Sequence, residues 1–171
     1  MSLSTMNVSG YQPSSLDRIV HSDHPILMRV LMEAILEDNL PDNQNIPALH
    51  RAVREGLTDA VRTLVNLGVD TNEKNSLGET PLHIAVRKNL TEIVEILAPV
   101  SDVNAQSYTG MTPLHWACLL GYAKIAEILL AYGADPWIHA QEVDDLTPRD
   151  LAVIMDYQHV LELLENPLTL Q

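Results

Sequence analysis

One cysteine, Cys118, stands in 171 residues, so no internal disulfide can form and a small cross-linked secreted fold is excluded. Its neighbours Trp116, Ala117 and Leu119 are apolar, which predicts a buried structural thiol rather than a reactive one. Long apolar runs are missing too. Stretches such as Trp116 to Leu120 fall far short of the roughly 20 residues that cross a bilayer, so no membrane insertion is expected. The chain does not begin with a basic segment followed by an apolar block, the mark of a secretory signal. These absences predict an intracellular, cytoplasmic location, with the nucleus left open. Basic residues are scarce in one half: residues 1–88 carry 11 acids and 8 bases, residues 89–171 carry 12 acids and two bases, Lys124 and Arg149. The total of −13 repels phosphate backbones, so nucleic acid is not an expected ligand. It serves solubility, and it fits a partner protein with a basic surface.

The signatures of catalysis are also lacking. There is no Gly-x-Ser-x-Gly elbow and no glycine-rich phosphate loop. Asp144, Asp145 and Asp150 cluster in sequence, but an acidic run in a loop reads as a solvated face, and no nucleophile, base and orienting group can be assembled. No enzyme activity and no cofactor are expected.

What the sequence does contain is repetition. Thr80-Pro81-Leu82-His83 recurs as Thr112-Pro113-Leu114-His115, 32 residues later. Pro47-Ala48-Leu49-His50 lies 33 residues before the first, and Thr147-Pro148-Arg149-Asp150 lies 35 after the second. Each is followed by a small residue (Ala52, Ala85, Ala117, Ala152), a turn, and a second segment with apolar residues at helical spacing, the pattern of one buried helix face. Gly56 and Gly121 fall between the two helices, with Asn89 and Asp156 in the equivalent places. Glycine ends a helix cheaply there, and Asn tolerates the same conformation.

This pattern resembles the ankyrin repeat, whose period of about 33 and Thr-Pro-Leu-His-x-Ala motif it shares. The resemblance covers residues 42–165, about three-quarters of the chain. It implies an all-α solenoid of stacked helix pairs with short β-hairpin or loop fingers. The divisions expected are a flexible leader at 1–13, a degenerate helical cap at 14–41, repeats at 42–74, 75–106 and 107–141, a C-terminal capping repeat at 142–166, and a tail at 167–171. Two departures stand out. Arg149 and Asp150 replace the usual Leu and His, and the finger before Thr147 has two extra residues; both suit a last repeat with no neighbour to meet. The segment Leu97-Ala98-Pro99-Val100-Ser101 lacks the usual glycine and is one residue short.

Seven histidines raise the question of metal. His50, His83 and His115 come one per repeat, and stacked repeats hold them about 10 Å apart, too far for ligands that must lie about 2 Å from one zinc ion. His21 and His24 lack further ligands nearby in sequence. No metal site is expected. The resemblance instead makes His50, His83 and His115 hydrogen-bonding residues between repeats, with Thr80, Pro81, Thr112 and Pro113 completing the structural motif.

The resemblance also implies function: non-catalytic protein binding, as an adaptor or an inhibitor, by a chain expected to be monomeric. The alternative is the targeting or substrate-recognition part of a larger enzyme or effector. Partners of such arrays meet the finger tips and the exposed end of each first helix. By register the helix positions are Arg54, Glu55, Arg87, Lys88, Leu119, Leu120, Ile154 and Met155. The tips are Asn43, Gln44, Ser76, Leu77, Glu79, Tyr108, Thr109, Met111, Val143, Asp144 and Leu146. The expected contact strip is therefore apolar in the later repeats (Tyr108, Met111, Leu119, Leu120, Ile154, Met155) and basic in the earlier ones (Arg54, Arg87, Lys88), with Leu77 between. Trp116 is expected in the core. Trp137 takes a place where the family often has a small polar residue.

Overall fold

The computed structural model describes residues 46–165 together with Pro25, Ile26 and Arg29. Between residues 46 and 165 it forms eight helices and no strand. They are α1 (Ala48–Arg54), α2 (Thr58–Asn66), α3 (Pro81–Arg87), α4 (Thr91–Leu97), α5 (Pro113–Leu120), α6 (Ala123–Ala131), α7 (Pro148–Ile154) and α8 (Gln158–Glu165). Odd-numbered inner helices pack in series, α1 on α3 on α5 on α7, and even-numbered outer helices do the same. Each inner helix also packs on the outer helix that follows it. The result is a repeat solenoid, an all-α stack in which each pair meets chiefly its neighbours.

Local chemistry explains where the helices start and stop. Thr112 is extended (φ −94°, ψ 168°), its Oγ1 accepts a hydrogen bond from the His115 N–H, and Pro113 opens α5. Threonine at the cap and proline at the first position each suit a helix start. The inner helices then end on left-handed residues, Gly121 at φ 73°, and Asn89 and Asp156 at φ 58° and 57°. Asn and Asp are the residues other than glycine that reach this conformation most readily.

Leu82, Leu114, Ile93, Ile125, Leu97 and Leu129 are wholly buried, and Ile128 is nearly so. Ile96, which holds the place of Ile128 one repeat earlier, is only half-buried. Trp116 lies in the core at 2% exposure. Cys118 is buried beside it in sequence, and burial pushes its thiol well up.

The fingers are tight turns rather than hairpins. In the first described one, Asn75 donates to the Glu79 carbonyl and Gly78 to that of Asn75. Ser107, Met111 and Gly110 repeat the arrangement. Among the described fingers only the last, longer by two residues, closes as a β-bridge, Ala140 to Leu146.

The leader, the cap at 14–41 and the tail lie outside the described residues, as do His21, His24, Asn43 and Gln44. The exception is that Ile26 packs, partly buried, against the core.

Candidate finger-edge interface

The fingers are joined into one edge by hydrogen bonds at recurring positions. Tyr108 donates its N–H to the Leu77 carbonyl at 3.0 Å, and Glu142 donates to Thr109 at 3.3 Å. Lys74 Nζ reaches the Gln106 carbonyl at 2.8 Å, and Gln106 Nε2 in turn reaches the His139 carbonyl at 3.0 Å.

Behind this edge the motif histidines tie repeat to repeat. His83 Nδ1 accepts the Thr80 N–H at 3.1 Å, so Nε2 carries the proton, which it donates to the Met111 carbonyl at 3.0 Å. His115 does the same between Thr112 and Leu146, at 3.0 and 3.1 Å. Burial holds both imidazoles neutral, down to about 4. Both ring nitrogens are committed to hydrogen bonds, which explains their one-per-repeat spacing. Among the described residues, no group of three or more His, Cys, Asp or Glu is placed to hold a metal ion.

His50 has half of the device. Its Nε2 lies 3.0 Å from the Glu79 carbonyl, but its Nδ1 is buried and has no partner among the described residues. The cause is legible: Pro47 occupies the motif threonine's place and has neither an N–H nor a hydroxyl to offer. Asp150 is the other exception. Its Oδ2 accepts from the Thr147 N–H at 2.9 Å and from the Thr147 hydroxyl at 2.6 Å. It keeps the helix cap and drops the reach to a next finger.

A second ladder follows the same logic. Asn72 Oδ1 accepts the Asp102 N–H, and Asn104 Oδ1 accepts that of Asp135, each at 2.8 Å. Trp137 holds the next equivalent position and is 61% exposed.

Five residues of the expected contact strip are buried. Met111 and Leu119 are 0% exposed, Met155 4%, Leu120 5% and Arg87 8%. The carbonyl of Met111 serves His83, and its side chain enters the stack. Every residue of α5 is buried, because α3, α6 and α7 pack around it. Arg87 turns inward to Glu79, 2.8 Å away with both side chains buried, and its guanidinium lies 5.6 Å from the centre of the Trp116 ring. Ile154, Arg54 and Leu77 are half-buried, and Lys88 is exposed. Among the tips, Glu79 and Val143 are buried, Thr109 and Leu146 half-buried, and Ser76 and Asp144 exposed.

Of the apolar set only Tyr108 stands clear, 68% exposed. A Cβ built on Gly78 would lie 2.6 Å from the Tyr108 ring, so the ring sits in the space that the missing side chain leaves. One finger away the exposed acids Glu142, Asp144 and Asp145 follow. Asp144 and Asp145 are both left-handed, at φ 52° and 57°, and Leu146 donates back to the Val143 carbonyl at 3.0 Å.

Sequence reasoning missed one row. Leu67, Val100 and Tyr132 are exposed at 75%, 48% and 49%, and the repeat register that relates them was the available signal.

A family described as ankyrin repeats, in three copies, matches residues 49–140, more than half of the chain. No curated protein matches it.

Proposed function

The chain belongs to the ankyrin-repeat family, whose members are in general protein-interaction modules, and from that premise we propose that it is a non-catalytic adaptor or inhibitor. It binds a partner protein along the finger edge from Leu77 through Tyr108 to the acidic fourth finger. The carrying observation is Tyr108: a large ring set against Gly78 and still 68% exposed. Contact with Gly78 limits where the ring can go, so a partner that covers it has less side-chain freedom to remove. Aromatic side chains of this kind dominate interface energetics.

Glu142, Asp144 and Asp145 are exposed beside it. They favour a partner with a basic surface, speeding encounter at low salt. Lys88 and the half-buried Arg54 give the earlier repeats a weaker, basic margin. No described helix is long and apolar enough to cross a membrane. We take the chain to be an intracellular monomer that works by occupying a partner.

The test is affinity against stability for Tyr108→Ala and for the pair Asp144→Lys, Asp145→Lys. A partner recovered with the wild-type chain should bind Tyr108→Ala at least about ten-fold more weakly, as expected for an interface anchor, with the melting temperature unmoved. The charge pair should slow association and flatten its salt dependence. Undiminished binding by both variants would place the interface elsewhere.

A further inference from the structure

The row Leu67, Val100 and Tyr132 lies away from the finger edge. Its members stand 33 and 32 residues apart, each just past an outer helix, α2, α4 or α6. Single exposed apolar residues are ordinary on a soluble surface, but a row of them is not.

Beside the row is a cleft of about 430 Å³, lined by Arg62, Val65 and Asn66 of α2, by Glu92, Glu95 and Ile96 of α4, and by Pro99. Asn66 and Pro99, two of its lining residues, are the chain neighbours of Leu67 and Val100, which puts these two residues of the row at the cleft's edge. The cleft has a cause in the sequence. α4 has 7 residues where α2 and α6 have 9, and Pro99 cannot extend it. α4 thus stops two residues short, with the half-buried Ile96 on the cleft wall.

The cleft carries charge of one dominant sign. Glu92 is paired at 3.4 Å with Arg62, both exposed. Glu95 makes no hydrogen bond or ion pair among the described residues, and Lys124, the cation whose field it shares, is held by Glu127 at 2.9 Å. One carboxylate is therefore left over next to Val65, Ile96 and Pro99.

We propose that this cleft, with Leu67 and Val100 on its margin, is a second docking surface. It takes a segment of a partner protein that carries a leucine-sized apolar side chain beside a lysine or arginine. The apolar side chain enters between α2 and α4, and the cation meets Glu95. A cleft of this size has room for an apolar side chain together with part of the segment that carries it, and the charge selects which apolar segments are accepted. The proposal does not depend on the finger edge.

The test uses the full chain, isotope-labelled, and three short synthetic peptides: leucine with lysine, serine with lysine, and leucine with glutamate. The leucine–lysine peptide should shift amide signals of Val65, Asn66, Leu67, Ile96 and Val100 in a saturable way. The other two should leave them unmoved. Glu95→Lys and Leu67→Asp should each weaken the leucine–lysine peptide at least about ten-fold, Glu95→Lys by replacing an attractive contact with a repulsive one. Both residues are exposed, so both variants should fold. Equal binding of the serine–lysine peptide would overturn the proposal, since charge alone would then suffice. So would shifts confined to the fingers, which would leave the finger-edge reading standing. Two further results would overturn it by naming another occupant: signals of residues 25–36 moving in Leu67→Asp, or dimers of the wild-type chain that Leu67→Asp dissolves.

Discussion

Leu119 and Tyr108 are both apolar residues that register assigns to the contact face, and they behave oppositely. Leu119 is 0% exposed and Tyr108 68%. Repeat register locates a residue along its helix or finger, but it does not say whether the next repeat covers it. Arg87 makes the point most clearly. Its charge argued for solvent, yet it is buried against Glu79, because a buried carboxylate and an aromatic ring together offset the cost of removing it from water. Two outcomes follow. Leu119→Asp should unfold the array or lower its stability by more than about 4 kcal/mol, because it puts an unpaired charge in the core. Tyr108→Asp should melt within a few degrees of wild type. Thermal denaturation of the two variants side by side checks both, and a stable Leu119→Asp would show the burial of α5 to be wrong.

His50 gives a gain to look for at the same scale. Its Nδ1 is buried and has no partner among the described residues because Pro47 stands where Thr80 and Thr112 stand in the next two copies. Pro47 already has an extended backbone, φ −54° and ψ 141°, which a cap residue can use. Replacing Pro47→Thr and Ala48→Pro together should restore the cap, stabilising the chain by about 1 kcal/mol and raising the melting point by a few degrees. No change, or a fall, would mean that His50 Nδ1 is satisfied in some other way.

At the scale of the element, the helices were legible and the surfaces were not. Thr-Pro starts, left-handed stops and the apolar spacing of both helices appear in the residues themselves and need no tertiary information. Asp150 was legible too: an acid three residues after Thr147 keeps the helix cap that histidine makes in the two copies before it. Of the two forms expected for the fingers, hairpin or loop, the described short ones take the loop form, tight turns that close on two hydrogen bonds. The fourth finger turns through Asp144 and Asp145, both left-handed, a conformation that favours Asn-Gly. Asp144→Asn with Asp145→Gly should therefore stabilise the chain by about 1 kcal/mol, read as a higher melting temperature. It should also weaken and slow association with a basic partner. A variant that gains stability and keeps its on-rate would remove these acids from the proposed interface.

At the scale of the whole molecule, the histidine ladder makes cohesion depend on pH. His83 and His115 are held down to about 4 against an ordinary 6.5, with burial the main cause, and His50 is lowered in the same direction. The unfolded chain therefore binds more protons than the folded one between pH 6.5 and 4. The stability these groups contribute is fully present above pH 6.5 and is lost as pH falls toward 4, by about 3 kcal/mol for each of His83 and His115. Protonation of surface carboxylates relieves the net charge of −13 mainly below pH 5 and acts the other way. The melting temperature should thus drop between pH 7 and 5, and His115→Gln, though less stable at pH 7, should show a shallower drop. A flat profile for the wild-type chain would contradict the ladder.

The central claim is that a protein partner covers the finger edge at Tyr108. The most direct measurement places a photo-reactive phenylalanine analogue at position 108 and, in separate samples, at 144 and at the exposed position 158, then irradiates in lysate. The account predicts the same single protein cross-linked from 108 and 144 and none from 158. Equal cross-linking from 158, or none from 108, would contradict it.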